Sequence, residues 1–247
     1  MSDYWETYPC QMGDHEAFIT YDHGIRSEID AIPFQSCARY EVSLRDPDDR
    51  GLPHGDEFGA LNMVEDRLAE ALSADAVNVG RITTNGRRYL LFYTRLDEIA
   101  AREVGNKVAL ESGYQVALAY RADPERDGYW KELFPTPDDW RVIQDMRLED
   151  SLREAGDALV EARPITHWAY FPRAEDRHKF LEAVAHRFDS VDVYETPDCD
   201  RGIHTARLSH FGLPDHRSMN ETTLLLNREA SRLGGDYDGW ETEVRKG

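Results

Sequence analysis

Val77-Asn78-Val79-Gly80-Arg81-Ile82-Thr83-Thr84-Asn85-Gly86-Arg87-Arg88-Tyr89-Leu90-Leu91-Phe92-Tyr93-Thr94 decides the fold of this chain. Val77 to Thr83 and Tyr89 to Thr94 are β-prone, and Thr84-Asn85-Gly86 between them is the best hairpin signal in the sequence. Asn-Gly tolerates the positive φ angles of a tight turn whose twist matches the flanking strands. Upstream, Ser36 to Arg45 alternates Ala38, Tyr40, Val42 and Leu44 against Arg39, Glu41 and Ser43, the pattern of a half-buried strand. Phe58, Leu61, Val64, Leu68 and Leu72 follow helical spacing. Beyond the hairpin, Asp97 is placed to cap a helix running to about Lys107. Tyr114, Val116, Leu118 and Tyr120 then alternate in a closing strand. Phe18 to Tyr21 reads as a short β-prone leader, and Asp46 to Glu57, with its prolines, glycines and acids, as a solvated connection. The order is strand, helix, hairpin, helix, strand.

That order recurs. Asp123 to Pro137 is charged and proline-containing and reads as a linker. A lead-in helix carries Trp140, Ile143, Leu148 and Leu152, with a break near Arg147 and an end by Gly156. Ile165 to Phe171 is a strand, and Phe180, Leu181, Val184 and Phe188 form a helical face. Val191 to Glu195 and Ile203 to His210 make a second hairpin across Pro197-Asp198-Cys199-Asp200. Thr223, Leu226, Ala230 and Leu233 line a long helix, and Tyr237 to Val244 closes the sheet. The economical solution is an α+β chain of two ferredoxin-like (split βαβ) α/β sandwich domains with antiparallel sheets, residues 1–134 and 135–247.

Composition bounds the function. Acids outnumber bases by 25 to 14 in residues 1–134 and by 23 to 15 in residues 135–247, for a formal charge of −19 over the chain. Such a field repels phosphate backbones and anionic lipid, which argues against direct nucleic-acid binding and against a membrane surface. It favours a basic protein segment as partner; solubility or adaptation to a salty cytoplasm accounts for it equally well. No run reaches the roughly eighteen apolar residues of a membrane span. Cys10, Cys37 and Cys199 are few, odd in number and far apart, which points to a reducing cytoplasm and away from disulfides or structural zinc. The acidic Met1-Ser2-Asp3-Tyr4-Trp5-Glu6 lacks the regions of a signal peptide.

Chemistry-bearing motifs are sparse. The nine histidines show no metal-ligand spacing, and Asp46-Pro47-Asp48-Asp49 lacks the glycine and distal glutamate of a calcium loop. No nucleophile elbow, phosphate loop or dinucleotide fingerprint is present. No metal or cofactor is expected, and no catalytic residue is assigned. If the chain is an enzyme, a hydrolase using His167 or the Glu65-Asp66 pair is the form it takes. Asn85 to Tyr93 superficially echoes the aromatic third strand of an RNA-recognition motif, but Leu90 and Leu91 read as interior and the net charge opposes that role. Gly234-Gly235-Asp236-Tyr237-Asp238-Gly239-Trp240-Glu241-Thr242 is the most distinctive string: the glycines stop a helix, Tyr237 and Trp240 supply apolar area, and Asp236, Asp238 and Glu241 stay wet. Keeping both aromatics inside needs a bend or bulge near Gly239, because regular alternation puts Asp236, Asp238 and Trp240 on one face.

That string, with Gly156-Asp157, Arg163-Pro164-Ile165-Thr166-His167-Trp168-Ala169-Tyr170-Phe171 and Phe180, resembles the family of the bacterial regulator of ribonuclease E activity B, over roughly residues 138–244. Pro47, Gly51-Leu52-Pro53, Val64-Glu65-Asp66-Arg67-Leu68, Val79-Gly80-Arg81 and Gly86-Arg87-Arg88 make the first half similar to a bacterial domain of unknown function sometimes joined to it. The resemblance implies a ferredoxin-like, acidic, non-enzymatic protein that binds ribonuclease E, whose non-catalytic part carries arginine-rich segments, and lowers its activity by contact. It marks Asp236, Tyr237, Asp238, Trp240, Glu241, Asp157 and His167 as candidate partner contacts, and Glu65, Asp66 and Arg81 as candidates in the first half.

Overall fold

A computed structural model describes residues 4–197 and 200–246. The chain divides into two compact units between Phe134 and Pro135. In the first, β1 (Trp5–Met12) and β2 (His15–Asp22) precede β3 (Ser36–Ser43), α1 (Glu57–Leu72), β4 (Ala76–Thr84), β5 (Arg87–Thr94), α2 (Glu98–Ser112) and β6 (Val116–Ala122). The sheet runs β1-β2-β4-β5-β3-β6, antiparallel throughout. Its β4-β5-β3-β6 part is the four-stranded ferredoxin-like core. Asn85 (φ +46°) and Gly86 (φ +71°) form the tight turn between β4 and β5. Asp97 accepts a hydrogen bond from the Ala100 amide and so caps α2. The apolar stripe of α1, Leu61, Val64, Leu68 and Leu72, packs with Val108 on Ala38, Tyr40, Val42, Leu90 and Phe92.

Three connections differ from expectation. The leader is a full hairpin: Tyr8, Ala17, Ile19 and Tyr21 are buried, and their alternation extends the sheet by two strands at the β4 edge. The expected linker is instead folded against the sheet face opposite α1 and α2. There, in a short helix α3 (Asp127–Trp130), Tyr129 is fully buried and donates to the Asp22 carbonyl at 2.8 Å, while Tyr8 donates to the Leu133 carbonyl at 2.9 Å. Arg126 donates to the carbonyls of Ile29, Ile32, Phe34 and Asp123. Charge and proline in this stretch served local caps and ties rather than solvation. Third, the loop after β3 docks onto the hairpin turn: Pro47 bridges Pro53, the Gly86 amide donates to the Gly51 carbonyl at 2.7 Å, and Leu52 is buried.

In the second unit α4 (Pro137–Glu154) leads into β7 (Arg163–Phe171), α5 (Ala174–Val184), β8 (Ser190–Glu195), β9 (His204–Gly212), α6 (His216–Arg232) and β10 (Asp236–Thr242). The antiparallel sheet β10-β7-β9-β8 has the same ferredoxin-like order. The lead-in helix α4 is continuous through Arg147; Thr136 and Asp139 close a capping box at its start. The turn between β8 and β9 includes Asp198 and Cys199, which lie outside the described residues. Ala169, Phe171, Ala206 and Leu208 meet Phe180 and Val184 of α5 and Leu226 and Ala230 of α6. The fold is therefore α+β, with two antiparallel sheets each covered by paired helices.

Candidate functional site

β10 pairs only with β7 and so forms an edge of its sheet. Its register advances by one residue between Tyr237 and Gly239, a β-bulge that leaves Asp238 outside the ladder. The extra residue lets Tyr237 (4% exposed) and Trp240 (5% exposed) both enter the core, while Asp236, Asp238 and Glu241 remain exposed. Gly239 makes the bulge possible at φ +118°, where a Cβ would stand 3.2 Å from Arg141 Nη1. The anchors are polar as well as apolar. The Tyr237 hydroxyl lies 2.7 Å from His167 Nδ1, and Trp240 Nε1 donates to Asp145 Oδ1 at 3.0 Å. Asp145 in turn pairs with Arg141 at 2.8 Å, with both side chains buried. Burial raises the Asp145 carboxyl above the usual carboxylate range despite that arginine.

Outside, Arg201 lies 3.5 Å from Asp236 Oδ2 and also contacts Asp238 Oδ1. Glu241 has no cationic partner among the described residues. Beside these acids lies the sheet face that none of α4, α5 and α6 covers. Alternation along β7 turns Ile165, His167, Ala169 and Phe171 inward and leaves Thr166, Trp168 and Tyr170 half-buried on the other side. Cross-strand pairing adds Arg207 opposite Trp168 and Asp192 opposite Arg207. The Arg207 guanidinium sits 5.5 Å from the Trp168 ring, Tyr194 meets that ring edge-on at 6.2 Å, and Asp192 is 3.7 Å from Arg207. Burial pushes the Tyr194 phenol up, Arg207 opposes this, and the nearby Asp192 and Glu241 carboxylates add to it. This face thus carries Trp168 and Tyr194 with Arg207 beside them, and acids on both of its edge strands.

Four of the residues expected as partner contacts are buried: Tyr237 and Trp240, the anchors of β10, and also His167 and Asp157. His167 is fully buried, holding Tyr237 with one ring nitrogen and His210 Nδ1 with the other at 3.2 Å. Burial, helped by His210 and Arg141, pulls its pKa down to about 3, so it stays neutral and is a poor base. Asp157 is 4% exposed and binds the equally buried Arg163 at 2.5 Å. Burial alone would raise its carboxyl; hydrogen bonds from the Arg245 and Leu159 amides and from Arg163 outweigh that and hold it below the usual range. Both residues therefore hold the fold together.

In the first unit Glu65 is also buried, at 8% exposure, and both its oxygens accept from Arg81 Nη1 at 3.0 Å. The solvated helix face expected for the Glu65-Asp66 pair holds for Asp66 alone, which is exposed. The two carboxylates thus lie in different surroundings, Glu65 buried on Arg81 and Asp66 in solvent. Arg88, part of the Gly86-Arg87-Arg88 string but not among the candidate site residues, stands 3.8 Å from Glu65 and is 4% exposed. Its signal was position: strand alternation from Leu90 and Phe92 puts Arg88 on the helix-covered face. The aromatic face of the second sheet was legible in the same way, from the even positions of β7. Among the described residues, no group of three or more His, Cys, Asp or Glu could hold a metal ion, and no helix is long and apolar enough to cross a membrane.

Residues 3–134 match a family model described as "Family of unknown function (DUF695)". Residues 143–242 match one described as "Regulator of ribonuclease activity B". No curated protein matches the chain. A solved structure titled "Crystal Structure of an Unknown Protein from Galdieria sulphuraria" is 11% identical; the match covers 84% of this chain and 99% of that one at a TM-score of 0.21, too low to inform the fold.

Proposed function

From the premise that this chain belongs to the DUF695 family through residues 3–134, with a second half that matches the regulator of ribonuclease activity B, we propose that it is a non-catalytic cytoplasmic regulator that binds an arginine-rich segment of a ribonuclease E-type protein. The observation that carries this reading is the second unit's uncovered sheet face, where Trp168 of β7 meets Tyr194 of the edge strand β8 and the acids Asp236, Glu241 and Asp192 lie on the two edge strands. Guanidinium groups stack on aromatic faces and pair with carboxylates, so the face and such a segment are chemically complementary. The −19 charge of the whole chain adds long-range attraction.

The test is binding of the purified chain to an arginine-rich ribonuclease E segment, with ribonuclease activity read in parallel. Affinity should fall steeply as salt rises, because surface charges beyond about 8–10 Å are screened at physiological ionic strength. Changing Asp236, Asp238 and Glu241 together to Asn, Asn and Gln should slow association more than it speeds dissociation. Glu241→Gln should be the strongest single change, because Arg201 already engages the other two acids. Salt-independent binding, or undiminished binding by the triple variant, would place the interface elsewhere.

A further inference from the structure

The first unit carries a second surface feature, a cleft lined by arginines and exposed aromatics. Where the β1–β2 hairpin extends the sheet past α1, a cleft of about 340 Å³ opens between the helix and the docked loop. Phe58 and Asn62 of α1 form one wall, Leu52 and Pro53 of the loop another, and Phe18, Arg81 and Arg88 the floor. Phe18 and Phe58 are 39% and 52% exposed, high for large aromatic side chains that face a concave surface. The volume falls within the range of small-ligand sites, roughly 300–1,000 Å³.

Its two floor arginines are unequally served. Arg81 and Arg88 share one carboxylate within ion-pair distance, Glu65, and both oxygens of that carboxylate are already used by Arg81. Arg88 has two neutral hydrogen-bond partners, Asn62 Oδ1 at 2.9 Å and Thr83 Oγ1 at 3.2 Å, which occupy two of the five donors of a guanidinium. Glu57, whose oxygens accept from the amides of Arg45 and Asp46, acts on Arg88 only through space. Arg50 at the mouth is already matched by Asp48 and Glu16. The buried Arg88 guanidinium thus has no carboxylate in hydrogen-bond contact among the described residues, and it stands beside an apolar wall. Burial and the neighbouring Arg81 lower the pKa of Arg88 to about 10 against the opposing pull of Glu65, Glu57 and Tyr114, and a carboxylate in direct contact would raise it again.

We propose that this cleft binds a small organic monocarboxylate with an apolar body. The carboxylate meets the guanidinium groups of Arg81 and Arg88, whose planar donor forks suit it. The apolar body lies against Phe58, Phe18 and Leu52. A single carboxylate suffices, because Arg88 is the one floor guanidinium that lacks a carboxylate in hydrogen-bond contact.

The test uses the full chain and four probes in calorimetric or ligand-observed NMR titrations: 3-phenylpropionate, octanoate, 3-phenylpropionamide and acetate. Both long carboxylates should bind saturably with millimolar or better affinity, as expected for ligands of about ten heavy atoms. The amide and acetate should each bind about tenfold more weakly or worse, since each lacks one half of the recognition. Phe58→Ala, at an exposed position, should weaken 3-phenylpropionate several-fold, and Arg88→Gln about tenfold or more. If Arg88→Gln does not fold, the half-exposed Arg81→Gln takes its place with the same expectation. Equal binding of the amide would reduce the cleft to an apolar surface, and equal binding of acetate would leave an adventitious ion only. Failure of both long carboxylates to bind, or unchanged binding by Phe58→Ala, would overturn the assignment outright.

Discussion

His167 is enclosed by Tyr237, His210 and Phe188, and that enclosure governs how it trades protons. Its folded pKa, about 3, lies below the ordinary value of 6.5. Between those limits the unfolded chain binds a proton that the folded one refuses. The stability contributed by neutral burial is therefore full above pH 6.5 and is lost as the pH falls toward 3, with a slope approaching about 1.4 kcal/mol per pH unit. His167→Gln should remove this slope: its urea midpoint should change less than that of the parent chain between pH 7 and pH 5. A His167 ring that titrates near 6.5 by NMR would contradict the enclosure. The Asp157–Arg163 pair sets a second expectation. Asp157→Ala strips a buried guanidinium of its carboxylate and leaves the Leu159 and Arg245 amides without their acceptor. A loss of about 3–5 kcal/mol in urea unfolding is expected. Arg163→Met should cost less, because Asp157 keeps both amide donors.

At the level of elements, the β10 bulge depends on one glycine. Gly239→Ala places a Cβ at φ +118° and 3.2 Å from Arg141 Nη1, and should destabilise the second unit by about 1–3 kcal/mol. Gly59→Ala is the control: it lies in α1 with nothing within 4 Å of the added Cβ and should stabilise by about 0.5–1 kcal/mol. Differential scanning calorimetry separates the two directions. Tyr129→Ala should cost about 3–5 kcal/mol in the same experiment, as expected of a fully buried aromatic, whereas a flexible linker would barely register the change. Elements with a clear period were legible in the sequence: both hairpins, the α1 stripe, and the need for a bend at Gly239. The 123–134 segment was not, because its contacts are single side chains reaching across the sheet, and no local period records such reach. The burial of Glu65, Asp157 and His167 was hidden for a related reason. A polar residue identifies itself as buried only through its partner, and Arg81, Arg163 and Tyr237 are brought near by the fold.

For the molecule as a whole, each unit completes its own split βαβ order and its own core. Asp157→Ala should therefore shift one unfolding step in a calorimetric scan and leave the other in place, since every partner of Asp157 belongs to residues 135–247. Repetition of the element order made this architecture readable, and net charge pointed toward a basic partner. Neither could show where the two helices of the first unit run out of width. Strands lie about 4.8 Å apart and packed helices about 10 Å apart, so two helices roof about four strands. The first sheet has six. The added hairpin is therefore an overhang as wide as one helix, a berth that no helix among the described residues of the first unit fills. The loop after β3 roofs only part of it, through Leu52 and Pro53. The length of that loop thus sets the size of the opening: shortening it would turn the cleft into a bare strip of sheet, and lengthening it would close the berth.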